Sequence, residues 1–498
     1  MADAGAHPPA PSVASYDVLS TGQAGPAAIR GGAMRVGGYG LAILLSVVSS
    51  ALLFRHLGVV EGGYYVTVIS LVTLAGGITD AGLSAIGVRE LATRDAAGRR
   101  ALMRSLSGLR LALTAAGIVA AALFALIAGY ANVLVLGTLI AGVGLALQVL
   151  QDTYAITLTA QLRLSWVALA DLARQVTMVS CIVALVVIGA HLLPFYAAAI
   201  PAGVVSAGLT AWLVKGTTPL LPYVHLVHWK GLLSETFAYA MATVVAAIYF
   251  RVAILIVSVV APGRQTGYFA VSFRVIEVLI IVPQLLVGAT FPIFARAARD
   301  DRARLRYALG RTFDACLILG MGVGLVLLTG APLIIGMIGG PKFHPADAVL
   351  SIQGLALVAS FVGAVWGFAL LSLRRHRAVL VCSLASLALS VTLTTTLAAA
   401  DGARGAAIAT VVVEALYSVM LGIAVWRAGE HPAISRAAIP RVVVAALLGA
   451  ATLAIHGIPD VVRVILAVAL YGGGLLALRA IPREIVDQLP RRLRLPLS

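Results

Sequence analysis

A polytopic, all-α membrane protein is predicted on three grounds: an extreme apolar composition, a recurring apolar run length, and positive charge confined to the short links between runs. Of the 498 residues, 61% are hydrophobic and 11% charged, and mean hydropathy is +1.02. Soluble domains keep roughly a quarter of their residues charged. The chain therefore has a bilayer for its solvent, and counting domains from length does not apply. A net charge of +16 on a soluble chain would point to nucleic acid. Placed beside apolar runs it points to membrane orientation instead, and no nucleic-acid partner is expected.

Taken in order, residues 1–34 are rich in Ala, Gly and Pro without an apolar core. They read as a disordered cytoplasmic tail rather than a cleaved signal peptide. Apolar runs then recur at the length of about 20 residues that crosses ~30 Å of hydrocarbon. They fall at 36–54, 63–88, 109–130, 133–154, 168–190, 195–214, 236–259, 267–292, 312–336, 348–372, 378–399, 404–426, 442–457 and 461–478. That makes about fourteen transmembrane helices, the last two the shortest, followed by a basic tail at 479–498.

With the amino terminus inside, 28 of the 36 Arg and Lys residues lie on the inner side. Arg55, Arg264, Lys342, Arg404 and Arg463 lie outside, and Arg174, Arg251 and Arg274 lie within spans. This asymmetry predicts both termini in the cytoplasm. The outer links are short, the longest being about Gly339 to Ala348, which excludes a large external catalytic domain. The inner links 89–108 and 296–311 are longer and basic, and suit anionic lipid head groups.

Familiar cofactor and metal chemistry finds no foothold. Cys181, Cys316 and Cys382 all fall inside spans, which argues against a disulfide framework or a CxxC site. His225 and His228 are spaced HxxH in a link without a nearby carboxylate or thiol, so no metal site is expected. The chain has only three lysines and no GxxxxGK[ST], hence no P-loop, and no cofactor is expected.

Charges inside the apolar runs carry the functional reading. The helix pair from Ala238 to Arg296 holds Tyr249-Phe250-Arg251 in its first member. After the turn Ala261 to Gly267, the second member holds Arg274 and Glu277 and is expected to close at Pro292. An arginine inside a bilayer costs ~2.5–3.5 kcal/mol on insertion scales, so a partner, a cavity or a substrate must meet it. At about 1.5 Å rise per residue, Arg251 and Arg274 each lie roughly 10 Å below the outer face. Arg251 has Ala247, Ile248, Ile254 and Leu255 at its neighbouring helical positions, so its counter-charge lies on another helix, in water or on a ligand. Arg274 with Glu277, and Asp171 with Arg174, are spaced i, i+3 and can neutralise one another. Asp80 in the inner half of span 2 and Glu414 in the middle of span 12 can pair with arginines, bind protons or cations, or face a wet cavity. Arg55, at the outer end of span 1, can anchor to head groups or meet a departing anion.

A short internal repeat adds an architectural hint. Gly63-Tyr64-Tyr65-Val66 opens span 2 as Gly267-Tyr268-Phe269-Ala270 opens span 8. The two copies are six spans apart, so the halves run the same way, as in transporters whose site lies between parallel lobes.

Several of these stretches also mark a family. Leu57-Gly58, Glu61-Gly62-Gly63-Tyr64-Tyr65, Thr79-Asp80-Ala81-Gly82-Leu83 and Arg89-Glu90-Leu91-Ala92 occur in that order, and Gly267-Tyr268 through Pro292 to Ala295-Arg296 follows. The chain after residue 34 resembles the polysaccharide-transporter branch of the multidrug/oligosaccharidyl-lipid/polysaccharide exporter superfamily. The resemblance implies two six-helix lobes, 36–214 and 236–426, around a central cavity, with 442–478 as two additional helices. It implies a flippase, not an enzyme, that carries a polyprenyl-diphosphate-linked oligosaccharide from the inner to the outer leaflet of the plasma membrane for cell-surface polysaccharide synthesis. Membrane lipids, and glycosyltransferases and a polymerase of the same pathway, are the implied partners. Relatives often place an acidic residue two positions after the arginine of helix 7, where this chain has Ala253.

On that reading Arg251 and Arg274, with Tyr249 and Arg55, are the substrate-binding candidates, because a planar guanidinium can make paired hydrogen bonds to phosphate. Asp80, Glu277, Glu414, Asp171 and Arg174 are the coupling or ion-pair candidates. Tyr249, Tyr64, Tyr65 and Tyr268 can stack on sugars or anchor at the interface. The alternatives are a drug or cation antiporter of the same superfamily, whose cavity should carry carboxylates, and a membrane glycosyltransferase, polymerase or ligase, which needs a large outer loop.

Overall fold

The computed structural model describes residues 24–480, except 81, 217–218, 220–222, 224–225, 436 and 456. The expected amino-terminal tail up to residue 23, the carboxy-terminal tail beyond 480 and His225 of the HxxH pair lie outside the described residues, while His228 falls in the first turn of the helix Leu226–Val260. Among those described there are fifteen α-helices and no strand. In order they are α1 (Ala24–Asp80), α2 (Leu83–Thr93), α3 (Ala96–Ile127), α4 (Asn132–Ala160), α5 (Leu164–Val187), α6 (Leu192–Ala197), α7 (Ala199–Val214) and α8 (Leu226–Val260). Then follow α9 (Arg264–Leu279), α10 (Ile281–Asp300), α11 (Arg302–Ile338), α12 (Ala346–Ser372), α13 (His376–Arg427), α14 (Ala438–Ala450) and α15 (Asp460–Ala477).

Among the described residues, eleven helices are long and apolar enough to cross a membrane, against fourteen expected spans. The difference sits at three places. Expected spans 1 and 2 share α1, expected spans 11 and 12 share α13, and the thirteenth is the short Ala438–Ala454. Both shared helices double back. In α1 the reversal is at Gly58 (φ 73°, ψ −169°), a left-handed position that suits glycine. A Cβ on Gly62 would lie 2.8 Å from the Phe54 ring, although eight residues of straight helix span about 12 Å. In α13 the break is at Asp401 and Gly402, and the Ser383 and Tyr417 hydroxyls, 34 residues apart, meet at 3.1 Å.

The inner links 89–108 and 296–311 are helical almost throughout. Chain direction changes at Asp95 and Asp301, whose side chains accept from Gly98 N and Arg304 N, each at 2.9 Å, and start α3 and α11 as N-caps. Hydropathy marks only the bilayer-length part of a helix, so these extensions read as links. The helix carrying Arg274 also differs from expectation. It does not close at Pro292, which lies inside α10, but breaks at Ile280 between α9 and α10. Pro283 explains the break, since its ring clashes with the carbonyl four residues earlier, that of Leu279.

The two copies of the repeat meet. A Cβ on Gly63 would stand 2.8 Å from Gly267 N, and one on Gly267 would stand 2.0 Å from Val59 O. Only glycine permits this backbone approach, and it brings α1 against α9 where both motifs begin. Around it, α1, α3, α4, α5 and α7 pack together, as do α8 to α13, while α14 and α15 pack on α11. The Tyr471 hydroxyl secures α15 by donating to Ile318 O at 2.7 Å.

Candidate functional site

The site begins with Arg251 on α8. Its side chain is about 10% exposed and its guanidinium lies 5.3 and 5.5 Å from the Phe250 and Phe273 ring centroids. So little water reaches it that an unpaired charge would be expensive. Its counter-charge comes from another helix: Arg251 Nη2 donates to Glu277 Oε1. Glu277 Oε2 accepts from Arg274 Nη1 at 2.5 Å, the i, i+3 pair legible in the sequence. One carboxylate thus bridges two guanidiniums from α8 and α9, leaving a net charge of +1. The shared partner holds the two guanidiniums side by side.

Serines of α1 complete the cluster. Arg274 donates through Nε to Ser50 Oγ at 3.0 Å and through Nη2 to Ser46 Oγ at 2.7 Å. Arg251 Nη1 reaches Ser70 Oγ at 3.4 Å. Arg251, Arg274 and Glu277 all line a cavity of about 580 Å³, bounded by α1, α3, α4, α5, α7, α8 and α9. Asp80 and Arg174 line it too, so five of the nine candidate residues share one space.

Sequence reasoning missed two charged members of that cavity, Arg110 and Asp152. Arg110 Nη2 donates to Asp80 Oδ1 at 2.7 Å, and Ser84 donates to the same oxygen at 2.6 Å. Arg110 sits at the edge of its apolar run and counts there as an inner-side charge. Asp152 lies two residues from the end of its run. Treating run edges as membrane-embedded would have found both.

The other candidates lie elsewhere. Asp171 accepts from Gln151 Nε2 at 2.7 Å, and no Asp171–Arg174 ion pair forms among the described residues, so the expected neutralisation is absent. Side-chain direction decides this: Asp171 is exposed, while Arg174 turns to the cavity. Arg55 Nη2 donates to Gly336 O at 3.2 Å, bridging α1 to α11. Tyr249 donates to Glu414 Oε1 at 2.6 Å, and Ser360 donates to Oε2 at 2.7 Å. That second acidic centre lines a tight pocket of about 50 Å³ among α8, α9, α12 and α13.

An apolar groove of about 740 Å³ adjoins the charged cavity, between α1, α9, α11 and α15. Val47, Val275, Leu319, Val323 and Val468 give its character. It shares Ser50 and Arg274 with the cavity, so one arginine stands where a polar space meets an apolar one. Among the described residues no group of three or more His, Cys, Asp or Glu is arranged to hold a metal ion.

The fold has solved counterparts. The structure is similar to a lipid II flippase, MurJ, in an inward closed conformation, with TM-score 0.75 and 13% identity over 89% of this chain and 98% of that one. It is also similar to an inward-facing multidrug resistance MATE family transporter of the MOP superfamily, with TM-score 0.63 and 14% identity over 78% and 94% of the two chains. A eukaryotic MATE transporter matches with TM-score 0.57 and 13% identity over 80% and 94%. No curated protein sequence matches. The model of a family described as polysaccharide biosynthesis protein matches residues 52–348, more than half of the chain, and this multi-pass membrane protein belongs to that family.

Proposed function

We propose that the protein is a flippase that carries a polyprenyl-diphosphate-linked oligosaccharide from the inner to the outer leaflet. The observation that supports this most is the junction at Arg274. A lipid-linked sugar has an apolar tail, an anionic link and a polar head, and the groove, the arginine cluster and the cavity follow in that order. Arg251 and Arg274 take the diphosphate, each guanidinium offering donors beyond those it gives to Glu277. The α1 serines hold Arg274 in position. Four arginines line the cavity, Arg110, Arg174, Arg251 and Arg274, against three carboxylates, Asp80, Asp152 and Glu277, and this surplus of one positive charge disfavours a cationic drug as cargo.

In this reading residues 36–214 and 236–426 are two lobes that rock about the cavity, 442–478 supply two further helices, and the chain makes fourteen passes of the plasma membrane with both termini in the cytoplasm. The protein acts as a transporter that takes its cargo from glycosyltransferases on the inner side and delivers it to a polymerase on the outer side. Cysteine probes at Gly263 and Gly339 should label from outside intact cells and a probe at Ala298 should not; labelling at Ala298 would reverse the orientation.

The experiment for the function itself is complementation combined with the leaflet distribution of lipid-linked precursor. Arg251→Ala and Arg274→Ala should each fail to complement and should accumulate precursor on the inner leaflet at normal protein levels. Arg251→Lys should recover little, because an ammonium lacks the bidentate fork. Full complementation by both alanine variants would make the arginines structural.

A further inference from the structure

The charged cavity has a second cluster that the diphosphate reading leaves unused: Asp80, Arg110, Asp152 and Arg174. Ser70 touches Arg251 and Asp80 touches Arg110, and both lie on the second limb of α1. Ten helical residues separate them, so the two clusters stand about 15 Å apart.

Arg110 is the informative residue. It is only 2% exposed, one of its nitrogens is spent on Asp80, and its Nε and Nη1 are buried without a hydrogen-bond partner. Arg174 Nε is in the same state. Asp152 lines the same cavity as both arginines and makes no ion pair among the described residues. Buried donors left unpaired are costly, and native proteins retain them where something else meets them. Gln148 and Gln175 add amides that both donate and accept.

We propose that this cluster is a head-group station, and that the head group it takes is an uncharged, hydroxyl-rich glycan. The proposal rests on the flippase reading and extends it. A sugar hydroxyl donates to a carboxylate and accepts from a guanidinium at once, so a pair of hydroxyls satisfies Asp152 together with the free donors of Arg110 and Arg174. Charge balance selects the neutral class. Two acids and two arginines cancel, so a uronate would meet no surplus positive charge. The arginine cluster at Glu277, with its net +1, differs in this respect.

The test uses the full chain in lipid nanodiscs and three synthetic probes: a bare polyprenyl diphosphate, the same lipid carrying a neutral trisaccharide, and that trisaccharide ending in a uronic acid. Hydrogen bonds to charged groups predict that wild type binds the neutral glycolipid about tenfold or more tighter than the bare lipid. Asp152→Asn and Arg174→Gln should each bring that ratio to within about twofold, and the uronate should confer no advantage over the bare lipid. Equal binding of bare and neutral lipids by wild type, an undiminished ratio in both variants, or tighter binding of the uronate would overturn the proposal. Arg251→Ala should weaken all three probes together. If it leaves them unchanged while the Asp152→Asn effect holds, the diphosphate assignment fails and the station stands. If no polyprenyl diphosphate binds wild type, the flippase reading falls and the proposal with it.

Discussion

Two carboxylates approach the same helix, α8, from opposite sides and are treated differently. Arg251 and Tyr249 are two residues apart, about 200° around the helix, so one faces the large cavity and the other the interior of α12 and α13. Glu277 is met by two guanidiniums in a space of about 580 Å³, whereas Glu414 is met by the hydroxyls of Tyr249 and Ser360 in about 50 Å³. In the flippase we propose, the first arrangement exchanges its anion, a diphosphate competing with Glu277 for the arginines. The second has neither the room nor the cations. The proposal accordingly puts ligand exchange on the Glu277 side and a packed polar contact on the Glu414 side.

The largest effect that can break this contrast is loss of Glu277. Glu277→Ala leaves buried Arg251 and half-buried Arg274 facing each other without a counter-charge, and should cost about 3–5 kcal/mol of stability and all transport. Glu414→Gln keeps an acceptor for one hydroxyl and should cost about 1 kcal/mol. Thermal unfolding of both variants in detergent measures the difference, and equal losses would remove the distinction. Gly267→Ala comes next, since a Cβ there falls 2.0 Å from Val59 O. It should cost about 1–3 kcal/mol by overpacking and displace α9, with its Arg274 and Glu277, from α1. Gly208→Ala on α7, where nothing lies within 4 Å of the added Cβ, is the neutral control. The smallest effect expected is that of Tyr249→Phe, which removes one hydrogen bond to Glu414 at a cost of about 1 kcal/mol. Transport by Tyr249→Phe should stay within about threefold of wild type on the same estimate, and its abolition would give the Glu414 side a direct role.

How much of this was legible follows from what sequence spacing can carry. Apolar runs of bilayer length mark the helices, and the i, i+3 spacing marks Arg274 with Glu277, because both are local properties. The Arg251–Glu277 pair spans 26 residues and two helices, so helical periodicity could say only that Arg251 lacked a partner on α8. Asp171 and Arg174 show the converse, where shared spacing did not make a pair because each side chain found another direction. The doubled helices α1 and α13 show why span counting and helix counting differ. A reversal at Gly58 or Gly402 needs no polar loop, only a residue that accepts positive φ.

The most direct test of the central claim is translocation of a labelled polyprenyl-diphosphate sugar across proteoliposomes, comparing wild type with Arg251→Ala at equal reconstituted protein. Losing a charge-assisted contact of about 3 kcal/mol predicts a drop of about a hundredfold. Translocation at the wild-type rate by Arg251→Ala would contradict the assignment of the diphosphate to this arginine.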